Sequence, residues 1–192
     1  MSVITNPHPL LEALAEQLAT VGQPFELVVI GGSGLLALGI IDRPTEDVDV
    51  VALRDGANLR GAEPLPDALA AARDRVGADF GLSVNWLNPG PTDLLRFGLP
   101  DGFEDRMLTR RYGPALTVRF ASRIDQIHFK LYAVVDQGAG KHLADLDALQ
   151  PTAEELAEAA RWTRTHDPSP AHRETLERVL AHFGVHGADL GT

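Results

Sequence analysis

The chain has 192 residues, no cysteine, 44% hydrophobic and 23% charged residues, and a formal net charge of −10 at pH 7. This length fits one domain, or one domain with a small appendage, that can bury a sizeable core. The lack of cysteine excludes disulfides and thiolate chemistry, and the acidic total argues against a generic nucleic-acid coat protein. No stretch approaches the ~18 apolar residues of a membrane span, and the first residues lack a signal-peptide pattern. We therefore expect a cytoplasmic protein without membrane contact.

The first 121 residues alternate helical and strand patterns. Phe25 to Ile30 is an almost continuous apolar run, as in a central strand, and it leads into the glycine-rich residues 31–34. The predicted elements are a helix over about 9–21, strands over 25–30 and 47–51, a surface loop over 54–66, a helix from 66 or 67 to 76, a third strand over 80–87, short helices within 92–111, and a fourth strand over 115–120.

From residue 122 onward the pattern is helical. Ser122 and Asp125 have the spacing of a capping box for a helix that runs to about residue 136. Further helices are predicted over about 142–149, 153–166 and 170–183. We therefore predict an α/β (α+β) fold, with a core over 1–121 built on a mixed sheet flanked by helices. A helical C-terminal subdomain over 122–192 is expected to pack on that core.

Two acidic residues lie close together at the start of the second predicted strand. Successive strand side chains point to opposite faces, so Asp47 and Asp49 share one face while Val48 and Val50 share the other. The two aspartate Cβ atoms are expected roughly 6–7 Å apart, which lets both carboxylates converge on one cation. Neighbouring carboxylates repel each other unless a positive charge lies between them. We interpret the pair as a magnesium site and residues 31–34 as a phosphate-binding turn that faces it.

Two other interpretations of the glycine-rich turn stay open. Gly32, Gly34 and Ala37 after a strand match a relaxed dinucleotide-binding fingerprint. That fingerprint has one acid at the tip of the next strand, whereas two acids begin the strand here. Alternatively, the turn only packs a helix on the sheet and the aspartates are surface charges. Two acids on one face of an apolar strand are costly, however, unless water or a cation satisfies them.

The combined pattern resembles a known family. Gly32-Ser33, 13 further residues and then Asp-Val-Asp on a strand is similar to the signature of the DNA polymerase beta-like nucleotidyltransferases. More narrowly, GGSGLLALGIIDRPTEDVDVV resembles the AbiEii-class nucleotidyltransferases. The resemblance implies a nucleotidyltransferase fold in which Asp47 and Asp49 bind Mg²⁺ and act in catalysis. The nucleotide-binding residues that it implies are Gly31, Gly32, Ser33, Gly34 and Arg43.

A second segment, FKLYAVVDQGAGKHLADLDAL at residues 129–149, extends the resemblance. Lys130 matches the lysine of the family's Lys-Leu-x-Ala pattern and Asp145 matches the second aspartate of the following turn, whereas His142 stands where the first is usual. The resemblance implies that Lys130 binds the triphosphate and that Lys130 and Asp145 act in catalysis. The chain has fifteen arginines and only two lysines, and both lysines, Lys130 and Lys141, lie within 12 residues. The presence of both lysines in this segment suits a phosphate contact, because a lysine side chain carries a compact charge on a flexible stem.

These motifs predict a Mg²⁺-dependent enzyme that transfers a nucleoside monophosphate from a nucleoside triphosphate (NTP) to an acceptor hydroxyl. By resemblance, the acceptor is RNA, at a tRNA 3′ end. The same resemblance implies a toxin of a toxin–antitoxin system, with a cognate antitoxin protein as partner. Residues 96–130 hold seven basic and four acidic residues, a local +3 that fits either an RNA-facing patch or an ordinary solvated surface.

Two alternatives to RNA modification remain. One is transfer to a protein or to a small molecule. The other is a non-catalytic protein of the same fold that binds a nucleotide or a partner. The second alternative arises because many polymerase-beta relatives carry a third carboxylate on a later strand. The predicted third strand offers only Asn85 there, and an amide is a weak base.

Overall fold

The computed structural model of the chain describes residues 3–191. The chain divides into two compact units, Met1–Ala121 and Ser122–Thr192. The first unit is a mixed sheet flanked by helices, which confirms the predicted α/β class at this level of detail. The second unit is helical. Within residues 3–191, no helix is both long enough and apolar enough to cross a membrane.

The first unit contains both helices and strands. In chain order they are α1 (His8–Val21), β1 (Phe25–Ile30), α2 (Gly31–Ala37), β2 (Val48–Asp55), β3 (Asn58–Gly61), α3 (Asp67–Phe80), β4 (Leu87–Asn88), a 3₁₀ helix (Gly90–Thr92), α4 (Asp93–Phe97), α5 (Phe103–Arg106), β5 (Leu108–Tyr112) and β6 (Leu116–Phe120).

The strands form one mixed sheet in the order β3-β2-β1-β6-β5, and β4 lies beside β2. Strand β1 is antiparallel to β2 and parallel to β6. A register shift in the β1–β2 pairing leaves Val51 without an opposite residue. Because a bulge of one residue resets the alternation of a strand, Val50 and Leu53 both face the hydrophobic core, while Asp49 faces the other side of the sheet.

Helices α1 and α3 contribute to the same core as the inner face of the sheet. Leu11, Leu14 and Leu18 of α1 are fully buried at the spacing of one helix face, and Gly22 ends the helix with a φ of 65°. Leu69 of α3 lies in the same cluster. Burial of each such leucine side chain contributes about 1.5–3 kcal/mol to folding, so this layer fixes the sheet that carries the candidate site.

Helix α3 is longer than predicted, and the predicted strand over 80–87 is wrong. The helix continues through Gly77, the predicted end, and stops at Phe80, where Gly81 caps it with a φ of 64°. A Cβ atom on Gly77 would lie 3.2 Å from Cδ1 of Trp86, so the glycine makes room for the indole. The chain after Gly81 is a turn in which Asn85 is exposed, and only Leu87–Asn88 pairs as a strand.

Strands β3 and β5 are not among the predicted elements. Residues 54–66, predicted as a loop, contain β3, which forms an antiparallel hairpin with the end of β2. Residues 92–111 contain the predicted short helices α4 and α5, but also β5, which pairs with β6 at an edge of the sheet.

The second unit contains the helices α6 (Arg123–Gln137), α7 (Gly140–Ala148), α8 (Ala153–His166) and α9 (Pro170–His182). The hydroxyl of Ser122 accepts a hydrogen bond from the Asp125 amide at the start of α6, at 3.3 Å. Thr152 and Glu155 form a capping box at the start of α8. These caps satisfy backbone amides that have no partner inside the helix, which explains why the helices begin where they do.

Candidate functional site

The two predicted metal ligands lie at the start of β2. Val48 and Val50 are fully buried, whereas Asp47 and Asp49 are partly exposed, so the strand presents both acids away from the core. Asp47 immediately precedes the strand and Asp49 is its second residue. The amide of Val48 donates to the carbonyl of Trp86 at 2.6 Å, which holds the start of β2 against the segment that leads into β4.

Both carboxylates converge on one side chain, Asn88. Its Nδ2 donates to Oδ2 of Asp47 at 3.2 Å and to Oδ1 of Asp49 at 3.0 Å. Asn88 lies on β4, where it is the parallel partner of Asp49 in the register of β2 and β4. Two like charges face one point in space here, and a neutral amide supplies both of them with a hydrogen bond.

The glycine-rich turn lies against the same pair of acids. Gly31 is the first residue of α2 and has a φ of 74°, a left-handed conformation that favours glycine. A Cβ atom at this position would overlap Oδ2 of Asp49. The missing side chain therefore lets the Asp49 carboxylate approach the backbone at the start of α2, as the predicted arrangement of acids and turn requires.

Ser33 lies within this turn, but its hydroxyl is covered. Residues 31–34 are all buried, and Ser33 is 0% exposed. No described residue forms a hydrogen bond with Ser33 Oγ. A buried hydroxyl without a partner costs about 1–3 kcal/mol. The structure thus gives no open path from Ser33 to a phosphate, and the phosphate-binding role of residues 31–34 remains a prediction.

The loop that carries Arg43 closes the other side of the turn. A Cβ atom on Gly32 would lie 3.0 Å from Oγ1 of Thr45 and 3.5 Å from Nη2 of Arg43. Thr45 exchanges two backbone hydrogen bonds with Ile4, of 2.7 and 3.0 Å, and the Ile4 side chain is buried. The N-terminal segment therefore holds the loop in place immediately before Asp47.

Lys130 and Asp145 form a separate constellation in the helical unit. Lys130 on α6 and Asp145 on α7 lie 2.7 Å apart, from Nζ to Oδ2, with side chains 6% and 1% exposed. The family resemblance implies that this lysine contacts a triphosphate and that both residues take part in catalysis. In the structure the ammonium is paired with the carboxylate, so Asp145 holds Lys130 in one position. Lys141, the other lysine of this segment, is exposed.

Asn88 belongs to this site, although no motif in the sequence predicts it. Asn85, which stands where the predicted third strand would carry a third carboxylate, is exposed and lies outside the strand. A local signal for Asn88 exists, since it follows the apolar Trp86-Leu87 and precedes a Pro-Gly turn, as the last residue of a strand would. Among residues 3–191, no cluster of three or more His, Asp or Glu side chains has the geometry of a metal site.

An open groove of about 990 Å³ also lies in the first unit, and its lining does not include Asp47, Asp49 or Asn88. Two of its basic side chains are Arg54 and Arg119. Arg54 pairs with Glu104 at 2.9 Å, and Arg119 pairs with Glu26. Because these charges are neutralised within the unit, the groove is a weaker candidate for phosphate chemistry than the aspartate pair.

Searches with this chain found no matching protein-family model, no matching curated protein and no matching solved structure.

Proposed function

We propose that the chain is a Mg²⁺-dependent nucleotidyltransferase that transfers a nucleoside monophosphate from an NTP to an acceptor hydroxyl. The observation that carries this proposal is that Asp47 and Asp49 converge on Nδ2 of Asn88 while Oδ2 of Asp49 lies against Gly31. Two carboxylates that face one point suit a hard divalent cation with oxygen ligands. The space left by the missing Cβ of Gly31 keeps the Asp49 carboxylate next to the glycine-rich turn, as a shared site for metal and triphosphate needs.

In this proposal Asp47 and Asp49 would hold Mg²⁺, which when bound would supply positive charge next to the phosphates. The acceptor oxygen forms a bond to the α-phosphorus, and the α–β bridging oxygen leaves with its electron pair as pyrophosphate. The proton of the acceptor hydroxyl is released to the solvent, and Asn88, the side chain that faces both aspartates, does not accept it because an amide is not a base. In this proposal Gly31, which lies against Asp49, and Arg43, which lies beside Gly32, would position the triphosphate.

The acceptor is the less constrained part of the proposal. RNA at a tRNA 3′ end, the toxin role and an antitoxin partner follow from the family resemblance alone. One basic side chain of residues 96–130 supports an RNA acceptor, since Arg111 lies exposed on the edge strand β5. Other arginines of the predicted basic region are engaged within the protein, such as Arg119 with Glu26 and Arg123 with Glu155. A protein hydroxyl or a small molecule therefore stays an alternative acceptor.

One observation favours a second candidate, a nucleotide-binding protein without transferase activity. Asn88 occupies the position facing both aspartates and cannot act as a third carboxylate. Such a protein would bind a metal–nucleotide complex without turning it over.

A labelling experiment tests the proposal. The protein is incubated with each α-³²P-labelled NTP, Mg²⁺ and either total RNA or lysate protein, and the label is followed into each fraction. We expect transfer by the native protein and a loss of about 100-fold or more in Asp49→Asn, since metal-bound phosphate no longer has its anchor. Asp55→Asn is the matched control, because Asp55 is an exposed acid at the far end of the same strand.

The outcomes separate the candidates. Label in RNA supports the RNA acceptor, and label in protein supports the alternative acceptor. Metal-dependent NTP binding that needs Asp49, without any transfer of label, favours the binding protein. Equal NTP binding and transfer in Asp49→Asn and Asp55→Asn overturns the proposed site.

A further inference from the structure

We propose that Asn88 is a positioning residue that fixes the orientation of both aspartates and keeps the number of carboxylates in the site at two, so that the metal is taken up together with a triphosphate. This inference rests on the proposed function, but its test uses no nucleotide. It assigns a role to strand β4, which consists only of Leu87 and Asn88.

The hydrogen bonds of Asn88 define which end of its amide faces the acids. The backbone N–H of Gly90 donates to Asn88 Oδ1 at 2.9 Å, so the oxygen points toward the turn after β4. The NH₂ group then points toward β2, with one hydrogen bond to each aspartate. A Cβ atom on Gly90 would lie 3.0 Å from Asn88 Oδ1, so glycine at position 90 leaves room for this contact.

Because Asn88 donates a hydrogen bond to one oxygen of each carboxylate, it fixes the rotation of both carboxylate groups. Its Nδ2 engages Oδ2 of Asp47 and Oδ1 of Asp49. The other oxygen of Asp49, Oδ2, is the atom that lies against Gly31. Asn88 therefore directs one carboxylate oxygen of Asp49 toward itself and the second toward the glycine-rich turn, where the proposed function places the triphosphate.

The neutral amide also sets the affinity of the site for a bare cation. The affinity of oxygen sites for divalent cations rises with the number of charged ligands. Two carboxylates that are already hydrogen-bonded to an amide present less negative charge than three carboxylates would. A cation that arrives alone is thus bound weakly, and a triphosphate must supply further oxygen ligands.

The test compares Asn88→Asp with the native protein in the absence of nucleotide, with Mn²⁺ alone as the probe. Asn85→Asp is the matched control, since it adds the same charge three residues away on an exposed side chain. We expect Asn88→Asp to tighten the Mn²⁺ dissociation constant by about tenfold or more, while Asn85→Asp changes it by less than about twofold. Free Mn²⁺ is measured by electron paramagnetic resonance.

Thermal unfolding in EDTA gives a second readout. Asn88→Asp places three carboxylates within hydrogen-bonding distance, so its unfolding midpoint without metal should fall below those of the native protein and Asn85→Asp. Saturating Mn²⁺ should remove this deficit. The double variant Asp47→Asn/Asn88→Asp again has two carboxylates and one amide, and its midpoint in EDTA should return toward the native value.

If Asn88→Asp does not fold in EDTA, recovery of folding with Mn²⁺ or with the added Asp47→Asn change supports the proposal, and recovery with neither overturns it. Equal Mn²⁺ affinity and equal midpoints for Asn88→Asp and Asn85→Asp also overturn it. Either of these results rejects the role of Asn88 but not the transferase activity, which is supported if the native protein transfers label. Conversely, the expected metal results without any transfer uphold the role of Asn88 and reject the transferase.

Discussion

Lys130 and Asp145 form a buried ion pair in which Nζ and Oδ2 lie 2.7 Å apart. Each charge has lost most of its contact with water, because the two side chains are 6% and 1% exposed. A buried pair of this kind contributes little net stability, but the loss of one partner leaves an uncompensated charge inside the protein. The pair therefore has a structural role whether or not it also serves the proposed reaction.

We predict that Asp145→Ala lowers the free energy of unfolding by about 3–5 kcal/mol, as measured by urea denaturation. The double variant Lys130→Met/Asp145→Ala should recover much of that loss, because it removes the stranded ammonium as well. Asp147→Ala is the control, since Asp147 lies on the same helix with its side chain 53% exposed. The activity of the double variant then separates the two roles: a stable but inactive protein supports the catalytic assignment, and a stable, active one contradicts it.

Gly31→Ala should damage the candidate site more than its backbone conformation alone explains. Gly31 and Gly39 have similar positive φ values, 74° and 69°, but only Gly31 has a neighbour, Asp49, where a Cβ atom would lie. Gly39→Ala therefore reports the backbone strain by itself, about 1 kcal/mol. We expect Gly31→Ala to cost about 3 kcal/mol or more. It should also weaken Mn²⁺ binding, because the Asp49 carboxylate must move.

Equal destabilisation by the two alanine variants, with unchanged Mn²⁺ binding in both, would contradict this contact. Urea denaturation gives the free energy of unfolding of each variant, and the free-Mn²⁺ measurement gives its Mn²⁺ dissociation constant.

We predict that His8 makes the first unit less stable at acidic pH. Arg110 Nη1 lies 2.9 Å from His8 Nε2, and since a guanidinium only donates, Nε2 accepts and the ring is neutral. His8 Nδ1–H then donates to the Tyr112 hydroxyl at 2.6 Å. Burial, followed by the Arg110 charge, lowers the pKa of His8 below 6.5. Burial also raises the pKa of Tyr112 to about 12, which keeps the phenol protonated.

The sign of the pH effect follows from this lowered pKa. Between the unfolded pKa of about 6.5 and the lower folded pKa, the unfolded chain binds a proton that the folded protein does not. The free energy of unfolding should therefore fall as the pH drops below about 6.5. We predict that His8→Gln reduces this dependence, as measured by urea midpoints at several pH values. His186→Gln, on an exposed side chain, should leave the slope unchanged; the same slope in both variants would contradict the assignment.

The sequence predicts the parts of the fold in which periodicity or caps reflect burial. Strand β1 has the predicted bounds because its apolar run is buried in the centre of the sheet. Helix α8 has the predicted bounds because Thr152 and Glu155 form a capping box. In both cases the local pattern and the tertiary environment favour the same structure.

The missed strands have no such pattern. Strand β5 lies at an edge, and its first four residues are exposed, so no alternation of apolar and polar residues marks it. Strand β3 is a short hairpin partner of β2, for which the Asp55-Gly56 turn was the available signal. At the candidate site, alternation places Asp47 and Asp49 together, but the role of Asn88 depends on a pairing between β2 and β4 that no local pattern encodes.

At Gly77 a tertiary contact overrides the usual preference for alanine over glycine inside a helix. Replacing a glycine inside a helix by alanine usually stabilises the protein by about 0.5–1 kcal/mol. Here a Cβ atom would lie 3.2 Å from Cδ1 of Trp86, which is fully buried and donates from Nε1 to the Arg73 carbonyl at 2.9 Å. Because the indole is held at both its ring and its N–H, it has little room to move.

We therefore expect Gly77→Ala to destabilise the protein by about 1 kcal/mol net in urea denaturation. Trp86→Phe/Gly77→Ala should lose less than the sum of the two single changes, since the smaller ring frees the space that the new methyl group needs. A gain in stability in Gly77→Ala would show that the indole shifts freely, and that Gly77 is kept for another reason.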